Sequence, residues 1–143
     1  MYELIYNFSN LAIIPFWLVH LFSPYSKWSL FLARWKWGPL GLALAYFSLV
    51  LPEIPAILDA MANPDFHHIR TLLGQPFGTT IAWLHILAFD LFVYEVFLTK
   101  PEEQRLPPWF MRCIGLFSLM VGPIGFVLFW FSTVYKIYKN SST

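Results

Sequence analysis

Residues 79–98 read TTIAWLHILAFDLFVYEVFL, an apolar run interrupted by His85, Asp90 and Glu95. Its length matches the ~20 residues that carry an α-helix across ~30 Å of hydrocarbon. In lipid, every backbone N–H and C=O must be paired internally, which a helix achieves and a lone strand does not. A β-barrel is disfavoured because the run lacks period-2 alternation. An ionisable group at the centre of a bilayer costs ~2.5 kcal/mol or more. Three of them in one segment mark it as the candidate functional element.

Three further apolar runs lie outward from it. Residues 4–22 hold no Lys, Arg, Asp or Glu, residues 38–57 hold Glu53 alone, and residues 113–134 hold none. The pattern predicts an all-α polytopic membrane protein. It is one domain, 1–143, built as a bundle of four transmembrane helices with short interfacial helices between them. The hydrophobic fraction is 58% and the charged fraction 12%, against about 25% charged in soluble domains. Trp and Tyr, abundant here, favour membrane interfaces. A net charge of +1 offers no footprint for nucleic acid.

Cofactor chemistry finds no foothold. Cys113 is the one cysteine, so no internal disulfide can form. No zinc spacing, nucleotide loop or nucleophile elbow occurs. His67 and His68 diverge by about 100° on a helix, which suits a solvated face better than one metal. His20 and His85 differ by about 15 Å in depth, too far for a bis-histidine haem. No metal and no cofactor are expected. The apolar run begins at Leu4 without a basic stretch before it, so direct insertion without a cleaved leader is expected.

The loops predict orientation. Loop one (23–37) carries Lys27, Arg34 and Lys36, and loop three (99–112) carries Lys100, Arg105 and Arg112. Loop two (58–78) carries Arg70 alone. The positive-inside rule puts loops one and three in the cytoplasm and, with four crossings, both termini on the other side. Loop two holds a short amphipathic helix, capped by Asn63, with Pro64 in its first position and Gly74 at its end. Phe66, Ile69 and Leu73 form its apolar face, lying on the membrane.

Helical geometry sorts the polar residues. At about 100° per residue, Trp83, Asp90 and Tyr94 share one face of the third helix, while His85, Phe89 and Phe92 lie nearly opposite. Polar groups on both sides predict that this helix is the most buried. At ~1.5 Å per residue, Asn10, Glu53 and His85 fall at one level, about 6–9 Å from the outer boundary. Asp90 falls at roughly 16 Å, level with Pro15 and with Gly122-Pro123. A proline inside a helix frees the carbonyl one turn earlier, at Leu11 and Leu119, and a protonated Asp90 can donate to either. His20 and Glu95 form an inner level about 24 Å deep, read as an interface contact.

The stretch Ala82-Trp83-Leu84-His85-Ile86-Leu87-Ala88-Phe89-Asp90-Leu91-Phe92-Val93 resembles the signature of the abscisic-acid-deficient-four-like membrane family. Asn10 with Pro15-Phe16-Trp17, and Gly122-Pro123-Ile124-Gly125, are similar to its pattern elsewhere. The resemblance implies a plastid or cyanobacterial setting and a xanthophyll substrate, since plant members are linked to neoxanthin and to cis isomers made from violaxanthin. Tyr94-Glu95 departs from the small and basic residues expected after the signature. With no transit peptide, a bacterial, cyanobacterial-type plasma or thylakoid membrane is implied.

On this reading Asp90 is the acid and His85 the base or orienting group of a carotenoid-modifying enzyme, acting by polyene isomerisation or by epoxide-to-allene rearrangement. Asn10, Glu53, Trp17, Trp83, Phe89, Tyr94, Gly122 and Pro123 contact the carotenoid-like ligand. Two other classes fit the same residues: a non-catalytic carotenoid or lipid binder, and an assembly subunit of a photosynthetic membrane complex. Because four helices enclose a long polyene poorly, a homo-oligomer or a lipid-facing groove is a further expectation.

Overall fold

The computed structural model describes residues 1–62 and 65–141, and among these it is helical, with no strand. α1 (Tyr2–Phe22) is followed by α2 (Lys27–Trp35) and α3 (Trp37–Val50). A 3-10 turn, Leu51–Glu53, leads into α4 (Ile54–Ala62). Then come α5 (Phe66–Leu73), α6 (Pro76–Leu98), a 3-10 turn at Glu102–Gln104, α7 (Pro108–Met120) and α8 (Gly122–Ser141). Three stretches are long and apolar enough to cross a membrane: α1, the α2–α4 stretch as far as Ala60, and α6.

Local sequence explains the breaks. Pro52 and Pro55 each lack an N–H, and the residue before a proline resists the α conformation. The second span therefore tightens to a 3-10 turn between α3 and α4. Ser26 caps α2, its side chain accepting from Ser29 N. α2 and α3 part at Lys36, whose φ of 56° is left-handed. That conformation costs an L-residue roughly 1–2 kcal/mol. The Lys36 ammonium offsets it by bonding the Ala33 carbonyl, lying 5.8 Å from the Phe92 ring centre and standing 3.8 Å from Glu95 Oε2.

α6 is the central post and the most buried of the spanning helices, as its polar groups on both sides predict. α1 runs parallel to it, as Tyr2–Phe77, Asn10–Trp83 and Trp17–Tyr94 contacts show. α3 runs antiparallel, with Tyr46 beside His85 and Gly38 beside Leu91. Ile13, Trp17, Leu42, Leu84, Leu91 and Ile114 form the shared core. The short helix of loop two starts later than expected. Asp65 caps it by accepting from His68 N, while Asn63 and Pro64 lie outside the described residues. Ile69 and Leu72 are half-buried, whereas Phe66 and Leu73 stay exposed.

The fourth segment does not form the expected helix over 113–134. The chain breaks at Val121 (φ −150°, ψ 81°) and α8 folds back along α7. Lys136 Nζ donates to the Arg105 carbonyl just before α7, at 2.7 Å. Gly125 abuts Ser118 across the turn. Pro123 is the cause: it cannot continue a helix from α7, but suits the first turn of a new one. α7, with 13 residues, spans about 20 Å, too short to cross.

α8 starts beside Asp90, midway along α6, and descends with it until Phe129 stacks on Phe97 at 3.9 Å. The hairpin thus enters and leaves at one end of the bundle. The C-terminus therefore lies with loops one and three, opposite the N-terminus, and not beside it. Of the 9 Lys and Arg residues, all but Arg70 gather at that end. Cysteines placed at Lys139 and Lys100, in a Cys113→Ser background, are expected to react with an impermeant maleimide from the same side of intact vesicles. One at Arg70 is expected to react from the other. Shared labelling of 139 and 70 against 100 would restore four full crossings.

Candidate functional site

The residues singled out from the sequence separate into three places. The first is an apolar groove of about 290 Å³ between α6 and α8, lined by Phe89, Asp90, Val93, Gly122, Pro123 and Phe126. Asp90, half-buried, reaches it from the middle of α6. Its carboxyl abuts the first residue of α8. A Cβ on Gly122 would overlap Oδ1 and lie 2.6 Å from Cγ, so only glycine admits this approach. Among the described residues none hydrogen-bonds the carboxyl. The positive end of the α8 dipole stands beside it.

His85 is not there. It lies on the α3 flank of α6, exposed, stacked on Phe89 at 4.6 Å and tilted against Tyr46 at 5.8 Å. Phe89 touches both places. Beyond it, a second groove of about 300 Å³ runs between α3 and α6, lined by Pro39, Leu40, Ala43, Ala88, Phe92 and Lys36 as well. Phe89 therefore borders both grooves, with Asp90 in one and His85 stacked on the shared ring.

The expected outer level does not assemble. Asn10 accepts a hydrogen bond from the Trp83 indole at 2.8 Å and donates to the Tyr6 carbonyl at 3.0 Å. Its Oδ1 thereby joins α1 to α6, while its Nδ2 is spent within α1. Glu53 lies apart, in an outer recess with Tyr2, His68 and Gln75. Trp17 and Tyr94 are core residues, with rings 5.3 Å apart, and the Tyr94 hydroxyl donates to the Met111 carbonyl at 2.9 Å. They clasp α1, α6 and α7 and line none of the grooves above.

The inner pair is a larger network than sequence depth suggested. His20 and Glu95 are both fully buried, with Nε2 3.2 Å from Oε1. His20 Nδ1 lies 2.8 Å from Ser29 Oγ. That hydroxyl gives its one hydrogen to the Pro24 carbonyl, so Nδ1 must be the donor to it. One proton between Nε2 and Oε1 then satisfies both. Ser29 and Lys36, the members not anticipated, arrive through the Ser26 cap and the Lys36 reversal. Nearby, the Tyr25 hydroxyl donates to the Leu106 carbonyl at 2.9 Å. Burial pushes that phenol up to about 12, against the pull of the Arg105 charge, so it remains a donor at any ordinary pH.

These groups form no metal site. Among the described residues no three of His, Cys, Asp and Glu come together. The comparisons agree with the signature around Asp90. The family described as ABA DEFICIENT 4-like matches residues 4–129. No curated protein and no solved structure matches the chain. The match covers most of the chain, including α1, α6 and the start of the hairpin, and on it the chain belongs to the ABA DEFICIENT 4-like family.

Proposed function

We propose that this chain is a membrane-embedded isomerase of carotenoid-like polyenes, with Asp90 as the group that gives and takes back a proton. One observation carries the reading: an aspartate midway along the spanning helix α6, without a hydrogen-bond partner among the described residues, in a groove otherwise apolar. An isolated acid there is costly unless it serves a guest molecule. Membership of the ABA DEFICIENT 4-like family supports a xanthophyll as that guest.

The chemistry needs one carboxyl and no redox partner. For cis–trans isomerisation, the acid protonates one polyene carbon. The delocalised cation has a weakened double bond, which rotates, and the carboxylate recovers the proton. For epoxide-to-allene rearrangement, the acid protonates the epoxide oxygen as its C–O bond breaks. The carboxylate then removes a C–H proton from the polyene, whose electron pair becomes the new double bond. In both cases one proton leaves Asp90 and one returns, and no electrons are exchanged. The α8 dipole favours the carboxylate present between the two steps. His85, on the other flank, is not needed for either transfer; stacked on Phe89, it would position the polyene instead. The groove, near the small end of ligand pockets, would hold the reacting segment while the rest lies along α6 against lipid.

The test is pigment chromatography after expression in carotenoid-producing cells. Wild type is expected to change the isomer or epoxide profile, and Asp90→Asn to lower conversion by 10²-fold or more, the usual reach of acid–base catalysis. The Asn10–Trp83 contact and membrane yield should persist. Identical profiles with wild type, Asp90→Asn and empty vector would remove the enzyme reading. A coloured, inert protein would leave a carotenoid binder.

A further inference from the structure

A further groove has no part in that reading. It lies at the open mouth of the α7–α8 hairpin, about 620 Å³, walled by Trp109, Phe110, Phe131 and Tyr135. Lys136 and Lys139 stand at its lip. We propose that this groove is a binding site for one anionic phospholipid of the surrounding bilayer, with its phosphate on the lysines and an acyl chain along the aromatic wall.

Three observations support the assignment. An ammonium has three donors, and the Arg105 carbonyl takes one from Lys136, leaving two for a headgroup. The groove lies at the end of the bundle where every Lys and Arg but Arg70 gathers. That end faces the anionic leaflet if the positive-inside rule holds. Trp109, Phe131 and Tyr135 are exposed and line the same groove as the lysines, the residue types of an aromatic belt at headgroup level. Glu102, in the loop before α7, pairs with Arg105 at 3.1 Å. A zwitterionic headgroup would meet the same cations with no net charge, so phosphatidylglycerol-type lipids are the favoured class.

The full chain, purified in detergent, would be examined by native mass spectrometry with added phosphatidylglycerol or phosphatidylcholine. Wild type is expected to retain phosphatidylglycerol preferentially. K136Q/K139Q is expected to lose that preference by on the order of tenfold, and K136R/K139R to keep it. Lys27→Gln, at the same end of the bundle but outside the groove, is expected to change little. Equal retention of the two lipids by wild type would overturn the proposal. So would a preference untouched in K136Q/K139Q, or lost equally in Lys27→Gln. Should K136Q/K139Q fail to fold, Ser132→Phe fills the groove and keeps both lysines; phosphatidylglycerol retained there would also overturn it.

Discussion

Glu95→Ala is expected to destabilise the protein by about 3–5 kcal/mol, the range for removing one partner of a buried charge pair. The substitution strands two groups at once. His20 Nε2 loses its partner, and it cannot turn to another because Nδ1 is held by Ser29. The Lys36 ammonium, 3.8 Å from Oε2, loses the charge that helps to hold its left-handed backbone. α1, α2 and α3 thus lose one shared buried tie to α6 together. Thermal unfolding in detergent, followed by tryptophan fluorescence, measures the loss. The double variant His20→Ala/Glu95→Ala should cost clearly less than the sum of its singles, since contacting residues couple. A loss below about 1 kcal/mol, or strict additivity, would show that the cluster does not hold the helices.

The second large effect is expected at the hairpin. In Gly125→Leu the new Cβ would lie 2.8 Å from Ser118 N and 2.9 Å from Ser118 Cα. Those are backbone atoms, which cannot rotate aside, so α7 and α8 must splay. Overpacking of this kind reaches about 3 kcal/mol, and it should also separate Phe129 from Phe97. Gly41 supplies the control, because nothing lies within 4 Å of a Cβ there. Gly41→Ala should be neutral or gain up to ~1 kcal/mol of helix propensity. Equal melting of wild type and Gly125→Leu would dispose of the tight hairpin.

These two sites also show what sequence can and cannot convey. α6 was legible because length, apolarity and three ionisable groups all pointed to one buried spanning helix. Depth counting from helix ends brought Asp90 level with Gly122-Pro123, and the two do meet. The hairpin was hidden because an apolar window has the same composition whether it runs straight or doubles back. Pro123 carried the signal, since a proline inside a periodic run often ends the helix just before it. Reading through it also put Lys136 and Lys139 on the wrong side. Asn10, Glu53 and His85 share a depth but face different neighbours, and depth alone holds no azimuth. Ser29 and Lys36 reach the buried cluster only through a left-handed turn at a lysine, which propensity would assign to glycine.

The half-depth hairpin also has a mechanical consequence. It adds two helix cross-sections to one leaflet and none to the other, so the protein tapers along the membrane normal. A tapered inclusion relieves bending stress where the leaflet at its broad end is expanded. The chain should therefore concentrate in strongly curved regions of membrane, with its cationic end on the convex side.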